Sequence, residues 1–157
     1  MNKPVYGAQQ KALNYAFLLL KFRLRSEKEL CNRLKKKKFD AEVIKNTLAF
    51  LKEKAFIDDN YFAKAWIEWR IKKPLGIRRL KEELKLKGID KEIIDSQIQK
   101  IKETYIEEDL VSELAQKKLG LLKGIYPYKA KQRVYAYLIR RGFSPDVVID
   151  VITQMRT

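Results

Sequence analysis

Residues 79–101 read RLKEELKLKGIDKEIIDSQIQKI. Leu80 and Leu84 lie one helical turn apart and mark the apolar side of a first helix. Gly88 stops that helix, because a residue without a Cβ enters the left-handed region without a clash. Asp90 is an N-cap type and opens a second helix. Ile93, Ile94, Ile98 and Ile101 then fall at helical spacing on one face. The stretch is a helix, a one-glycine stop and a helix.

The same skeleton occurs three times. Taking Ile89 as reference, the counterparts are Phe39, fifty residues earlier, and Phe143, fifty-four later. Nine positions before them stand Leu30, Leu80 and Val134; five before stand Leu34, Leu84 and Leu138. One after stand Asp40, Asp90 and Ser144, all N-cap types. Four and five after come Val43 and Ile44, Ile93 and Ile94, Val147 and Val148. Leu48, Ile98 and Ile152 follow at nine; Leu51, Ile101 and Met155 follow at twelve. Apolar residues at so many matched offsets define an internal repeat, and such repeats build stacked helical arrays. The expected fold is all-α, an elongated array of three tandem three-helix repeats. A short leader over 1–8 precedes repeats at 9–57, 58–103 and 104–157. None of the three is large enough to bury a sizeable core alone, so each leans on its neighbours.

Charge narrows the partners. The chain has 157 residues, with 35 Lys and Arg against 20 Asp and Glu, a net charge of +15 and no histidine. That balance favours polyanions, nucleic acid before an anionic membrane or an acidic protein. The one cysteine, Cys31, has no disulfide partner and sits beside Leu30 as a small hydrophobe. With no secretory signal in the sequence, it points to a cytoplasmic location. The longest apolar run, 16–20, is too short to cross a bilayer, so no membrane partner is expected.

The first repeat is expected to open with a helix over 9–22. Its main stripe is Leu13, Ala16, Phe17, Leu20 and Leu24, widened by Leu18, Leu19 and Phe22, so it should pack on more than one side. Ser26 and Glu29 form a capping box. The lysines at 35–38 end the next helix, where cations suit its dipole. Asp58 and Asp59 open the second repeat and serve as caps rather than as a catalytic pair. Phe62, Trp66 and Trp69 follow at i, i+4 and i+7, a core stripe before a base-stacking platform. Arg78–Glu82 and Arg79–Glu83 are spaced to pair. Acidic residues 107–109 open the third repeat, with Leu110, Leu114 and Ala115 facing inward. Gly120 and Gly124 mark a loop, and Pro127 suits the first turn of the next helix.

From 114 to 145 there is no Asp or Glu. That stretch carries Lys117, Lys118, Lys123, Lys129, Lys131, Arg133, Arg140 and Arg141, interleaved with Tyr126, Tyr128, Tyr135 and Tyr137. Unpaired cations beside tyrosines suit phosphate contact with base stacking, and equally a plain solvated face. Catalytic chemistry finds no footing: there is no phosphate-binding glycine loop, no CxxC, and no histidine to act as base or metal ligand. No catalytic residue, metal ligand or cofactor site is assigned.

Arg23, Arg25, Ser26, Glu29 and Leu30 spell R-x-R-S-x-x-E-L, which resembles the signature of the bacterial RecX regulatory proteins. Ile57, Asp58, Asp59, Phe62, Ala63 and Arg70 resemble that family's second block; Gly76, Arg79, Glu83, Leu84, Lys87, Gly88 and Ile89 resemble its third. The likeness runs from Ala12 to the C-terminus and is most specific over 23–89. Lys38 stands where the family often has glycine, a change expected to lengthen or tighten that helix end. The resemblance implies a non-enzymatic, monomeric modulator of the RecA recombinase. It implies a place along the groove of the RecA–DNA filament, restraint of strand exchange, ATP hydrolysis and filament growth, and a part in recombination, DNA repair and the SOS response. Candidate contacts to RecA or DNA are Arg23, Arg25, Lys35, Lys36, Lys37, Arg70, Arg78, Arg79, Lys123, Lys129, Lys131, Arg133, Arg140 and Arg141. The alternatives are a basic helical module that binds DNA or RNA without RecA, and a basic adaptor that acts only on proteins.

Overall fold

The computed structural model describes the backbone of residues 3–156 and the side chains of residues 7–156. Among the described residues it is helical, without strands: α1 (Lys3–Phe22), α2 (Glu27–Lys36), α3 (Ala41–Glu53), α4 (Asp59–Arg70), α5 (Ile77–Leu86), α6 (Lys91–Lys102), α7 (Glu107–Gly120), α8 (Pro127–Arg140) and α9 (Pro145–Gln154). They fall into two compact units. Unit 1 is Met1–Trp66 with Leu84–Ile94; unit 2 is Ile67–Glu83 with Asp95–Thr157.

Three chain reversals carry the repeat. Phe39 N donates to Leu34 O at 3.3 Å, Ile89 N to Leu84 O at 3.1 Å, and Phe143 N to Leu138 O at 3.3 Å. One residue earlier, Lys38, Gly88 and Gly142 donate to Lys35, Lys85 and Ile139, each at 2.9 Å. These paired bonds make the Schellman stop, which needs a left-handed residue between helix and exit. Lys38, Gly88 and Gly142 supply it with φ of 64°, 77° and 85°. The expectation that Lys38 would lengthen or tighten its helix end is therefore corrected. Lysine takes glycine's conformation, and α2 stops in the same register as α5 and α8. At the exits, Asp40 and Ser144 are extended N-caps whose side chains make no capping bond. There the carbonyls alone accept, from Ile44 and Val148 at 3.0 Å.

Four of the matched apolar positions are buried in all three copies, while Phe39, Ile93, Ile101, Val147 and Met155 are half-buried. Leu30, Leu80 and Val134 are inside, as are Leu34, Leu84 and Leu138, and Ile44, Ile94 and Val148. In unit 1 these residues of α2 and α3 meet Ala12, Ala16 and Leu19 of α1. The expected α1 stripe is rotated. Leu13, Phe17 and Leu20 are half-buried flanks, while Leu18, Leu24 and Phe22 are exposed, Phe22 at 76%. Alanines at 12 and 16 bring the helix close to α3, so the line of smallest side chains, not of largest, is the contact. The helix also starts earlier than expected. Residues 3–8 continue α1, with Pro4 in a first turn that needs no N–H from it; Met1 and Asn2 lie outside the described residues.

In unit 2, Val111 and Ala115 of α7 pack against Val134 and Leu138 of α8, Phe143, and Val148 and Ile152 of α9. Leu110 and Leu114, expected inward, are half-buried flanks of the Val111–Ala115 line. The 74–77 loop is pinned from three sides. Tyr105 donates its hydroxyl to Leu75 O at 2.7 Å and accepts Leu75 N at 3.1 Å. Glu107 accepts Ile77 N at 2.6 Å. Arg141 donates to Pro74 O at 3.1 Å.

Candidate nucleic-acid interface

The sequence candidates separate into cations that hold the fold and cations that face solvent. In unit 1, Arg23 makes a two-pronged pair with Glu29, both bonds 3.1 Å. Glu29 also accepts Ser26 N at 3.1 Å and Lys87 Nζ at 2.7 Å. Burial pushes its carboxyl up, but the bonds from Arg23, Lys87 and the Ser26 amide outweigh it and hold the pKa at about 2. Arg25 folds back so that its Nε donates to Leu19 O at 3.4 Å. Burial, with Arg23 alongside, pulls its guanidinium below the ordinary value. The R-x-R pair is therefore occupied at the foot of α2.

Lys35, Lys36 and Lys37 close α2 as exposed cations. Lys37 Nζ lies 5.2 Å from the centre of the Tyr15 ring, a cation–π contact.

In unit 2, Arg70 pairs with Glu83 through two bonds of 2.8 and 2.6 Å. Arg79 reaches the same carboxylate at 3.3 Å, as its spacing predicts. Arg78 stands exposed on α5. Arg141 lies 4.8 Å from the centre of the Tyr137 ring as well as on Pro74 O, and Lys118 lies 5.2 Å from the same ring. Lys117 pairs with Glu113, just outside the acid-free stretch. So Tyr137, Arg141 and Lys117, read as open for contact, are already engaged.

What remains open lies mainly on α8. Lys129, Arg133 and Arg140 are exposed and fall within about 40° of one another around the helix. Ala130, Val134 and Leu138 hold the buried side, which fixes the cation stripe outward. Its ends are about 16 Å apart along the axis. Lys131 sits half-buried off the stripe, and Lys123 is exposed on the turn before α8. Tyr126 and Tyr128 stand 79% and 73% exposed beside it. A row of cations with exposed rings at one end can bind a run of phosphates and stack on a base.

The aromatic stripe on α4 resolves differently from the core expectation. Phe62 is buried, Trp66 is half-buried with Lys87 Nζ 4.9 Å from its ring centre, and Trp69 is 57% exposed. Asp58 caps α4 as expected, accepting Asn60 N at 2.9 Å and Tyr61 N at 3.3 Å. Asp59 instead accepts Glu27 N at 3.0 Å, and burial raises its pKa. Among the described residues no three His, Cys, Asp or Glu side chains are placed to hold a metal ion. No described helix is long and apolar enough to cross a membrane.

Sequence reasoning missed Lys87. It bonds Glu29 with its amine, faces the Trp66 ring, and offers its carbonyl to Ser26 Oγ at 2.6 Å. The signal was available: Lys87 stands directly before the glycine of the stop, the position of Arg141 in the third repeat.

Three family models match the chain in order: the first three-helix domain of RecX over 12–51, the second over 58–96 and the third over 106–152. The chain belongs to the RecX family. It is 36% identical over 147 residues to the regulatory protein RecX of Chlorobium phaeobacteroides, covering 93% of this chain and 94% of that one. Against the regulatory protein RecX of Clostridium beijerinckii it is 34% identical over 133 residues, covering 83% of this chain. There it spans 62% of the relative's length. The crystal structure of RecX from Lactobacillus salivarius superposes with a TM-score of 0.80 at 21% identity, over 98% of this chain and 97% of that one. That likeness is one of fold: all-α, with three-helix RecX domains in tandem. The chain is thus a regulatory protein of the RecX type.

Proposed function

We propose that this chain is a non-enzymatic regulator of RecA that lies along the groove of the RecA–DNA filament and restrains its ATP hydrolysis, strand exchange and growth. Membership of the RecX family carries the reading. The outward cation stripe on α8 supports it, since a filament groove presents phosphates beside protein. Several weak contacts along one chain then add through effective concentration. The same reading places the protein in the cytoplasm as a monomer that uses no cofactor.

The test is RecA turnover of ATP on single-stranded DNA. Added protein is expected to lower the rate at or below equimolar amounts; an unchanged rate ends the proposal. Lys129→Glu with Arg133→Glu should weaken the effect at least tenfold while moving stability by less than about 0.5 kcal/mol, as exposed charge changes do.

The exposed Tyr126 and Tyr128 favour a second reading, direct binding to DNA or RNA without RecA. It predicts that log K for bare single strands falls steeply with log salt. A flat salt response excludes it.

A further inference from the structure

The outer face of α2 and α3 carries a groove of about 410 Å³, of whose lining only Lys35 is among the candidate contacts to RecA or DNA. Its floor is Ile44 and Leu48, bordered by Cys31, Ala41 and Ala49. Ile44 and Leu48 are themselves buried, so the apolar lining open to a ligand is mainly Cys31, Ala41 and Ala49. Lysines rim it: Lys35, Lys45 and Lys52. Lys52 is paired with Glu27 at 3.2 Å, which closes one end. Lys35 and Lys45 are exposed at the other, with no carboxylate partner among the described residues.

The repeat provides an internal control. At Cys31 the other repeats have Lys81 and Tyr135; at Ala49 they have Gln99 and Thr153. At Lys45 they have Asp95 and Ile149. Open borders and a cationic rim therefore occur together only in the first repeat. The helix pair does not require them, since the same pair is built twice more with longer borders and without a cation at the Lys45 position; the Lys35 and Lys52 positions keep Lys85 and Lys102 in the second repeat, and the Lys52 position keeps Arg156 in the third.

We propose that this groove docks a short segment of a partner protein in which acidic residues flank an apolar anchor. The anchor lies on Cys31, Ala41 and Ala49, over the base formed by Ile44 and Leu48, and the carboxylates meet Lys35 and Lys45. Charge complementarity selects the occupant: a bare apolar segment leaves the lysines unused, and a nucleic-acid strand leaves the floor unused. From Glu27 to Lys35 the groove runs about 12 Å, room for about four extended residues. The binding test needs no RecA and none of the α8 cations, so its failure leaves the filament reading standing.

The experiment is fluorescence anisotropy of the full chain with a fluorescein-labelled peptide, DDFLDD, and with DDSSDD as control. DDFLDD is expected to bind at least tenfold tighter than the control. Ala49→Trp, which fills the border, and Lys45→Glu, which reverses the rim, should each weaken it at least tenfold. Thr153→Trp, the matching change in the third repeat, should leave binding unchanged. All three substituted positions are exposed, and helical circular dichroism checks that each variant folds. Equal binding of the two peptides, no binding of DDFLDD, or unchanged binding by folded Ala49→Trp would overturn the proposal. So would displacement of the peptide from wild type and Ala49→Trp alike by oligothymidylate, which marks the face as a phosphate surface.

Discussion

The start of α2 and the start of α5 occupy matching places, and each is met by the turn of a later helix. In unit 1, Ser26 donates its hydroxyl to Lys87 O at 2.6 Å, and Glu29 holds Lys87 Nζ. In unit 2, Gly76 donates its backbone N–H to Arg141 O at 2.9 Å. Ser26 and Gly76 are equivalent in the repeat, as are Lys87 and Arg141. One docking site is thus built from side chains, the other from backbone against backbone. A Cβ added at Gly76 would lie 2.0 Å from Gly142 C, and one at Gly142 would lie 2.6 Å from Arg79 N. One at Gly88 would instead meet the side chain of Lys28. Removing the side chains at a junction lets the chains approach until only glycine fits; keeping them gives ion pairs and a sensitivity to pH.

The largest effect is expected where backbone meets backbone. Gly142→Ala forces a Cβ against Arg79 at φ 85°. The left-handed penalty of about 1–2 kcal/mol adds to separation of the two segments, for a loss of about 3 kcal/mol or more. Gly88→Ala meets the same penalty at φ 77°, but its neighbour is a lysine side chain that can partly yield. A loss of about 2 kcal/mol is expected. Urea unfolding of both variants decides it. Equal losses would show that the two junctions are not different in kind.

Acid should loosen the unit 1 junction. The Glu29 carboxyl is held at about 2, below its ordinary 4.5. Its stabilisation is therefore complete above 4.5 and lost as pH falls toward 2. Solvent screening at this half-exposed site leaves about 1–2 kcal/mol. Glu29→Gln should cost that much at pH 7, with the gap to wild type closing between pH 4.5 and 2 in denaturant unfolding. A gap independent of pH would mean that shape, not charge, holds Lys87.

Much of this was legible in the chain. Three stops, their buried leucines and the Ser26–Glu29 box follow from local rules: a left-handed residue, helical spacing, a reciprocal cap. Two things escaped. The contact line of α1 runs through the expected Ala16 and Leu19 but is centred with Ala12, because close packing favours small residues where hydropathy favours Leu13 and Phe17. The fate of each arginine also escaped, since Arg25 on Leu19 O and Arg141 on Pro74 O depend on carbonyls that no residue pattern encodes. The R-x-R signature, expected as a contact, is engaged within unit 1 by Glu29 and Leu19 O; the acid-free stretch, expected as an anion contact or a solvated face, resolves into an outward row of Lys129, Arg133 and Arg140.

The smallest effect tests why a lysine is tolerated at the first of the three stops. Gly88 and Gly142 are constrained twice, by positive φ and by a close neighbour. Lys38 is constrained once: φ is 64°, but the residue is exposed. Lys38→Gly should relieve about 1–2 kcal/mol of left-handed strain against about 0.5–1 kcal/mol of added freedom in the unfolded chain. A net gain of about 0.5–1 kcal/mol is expected in urea unfolding. A gain confirms that only conformation is at stake at this turn. A loss would show that the Lys38 side chain is bound in solution, and that the first stop is a docking point like the other two.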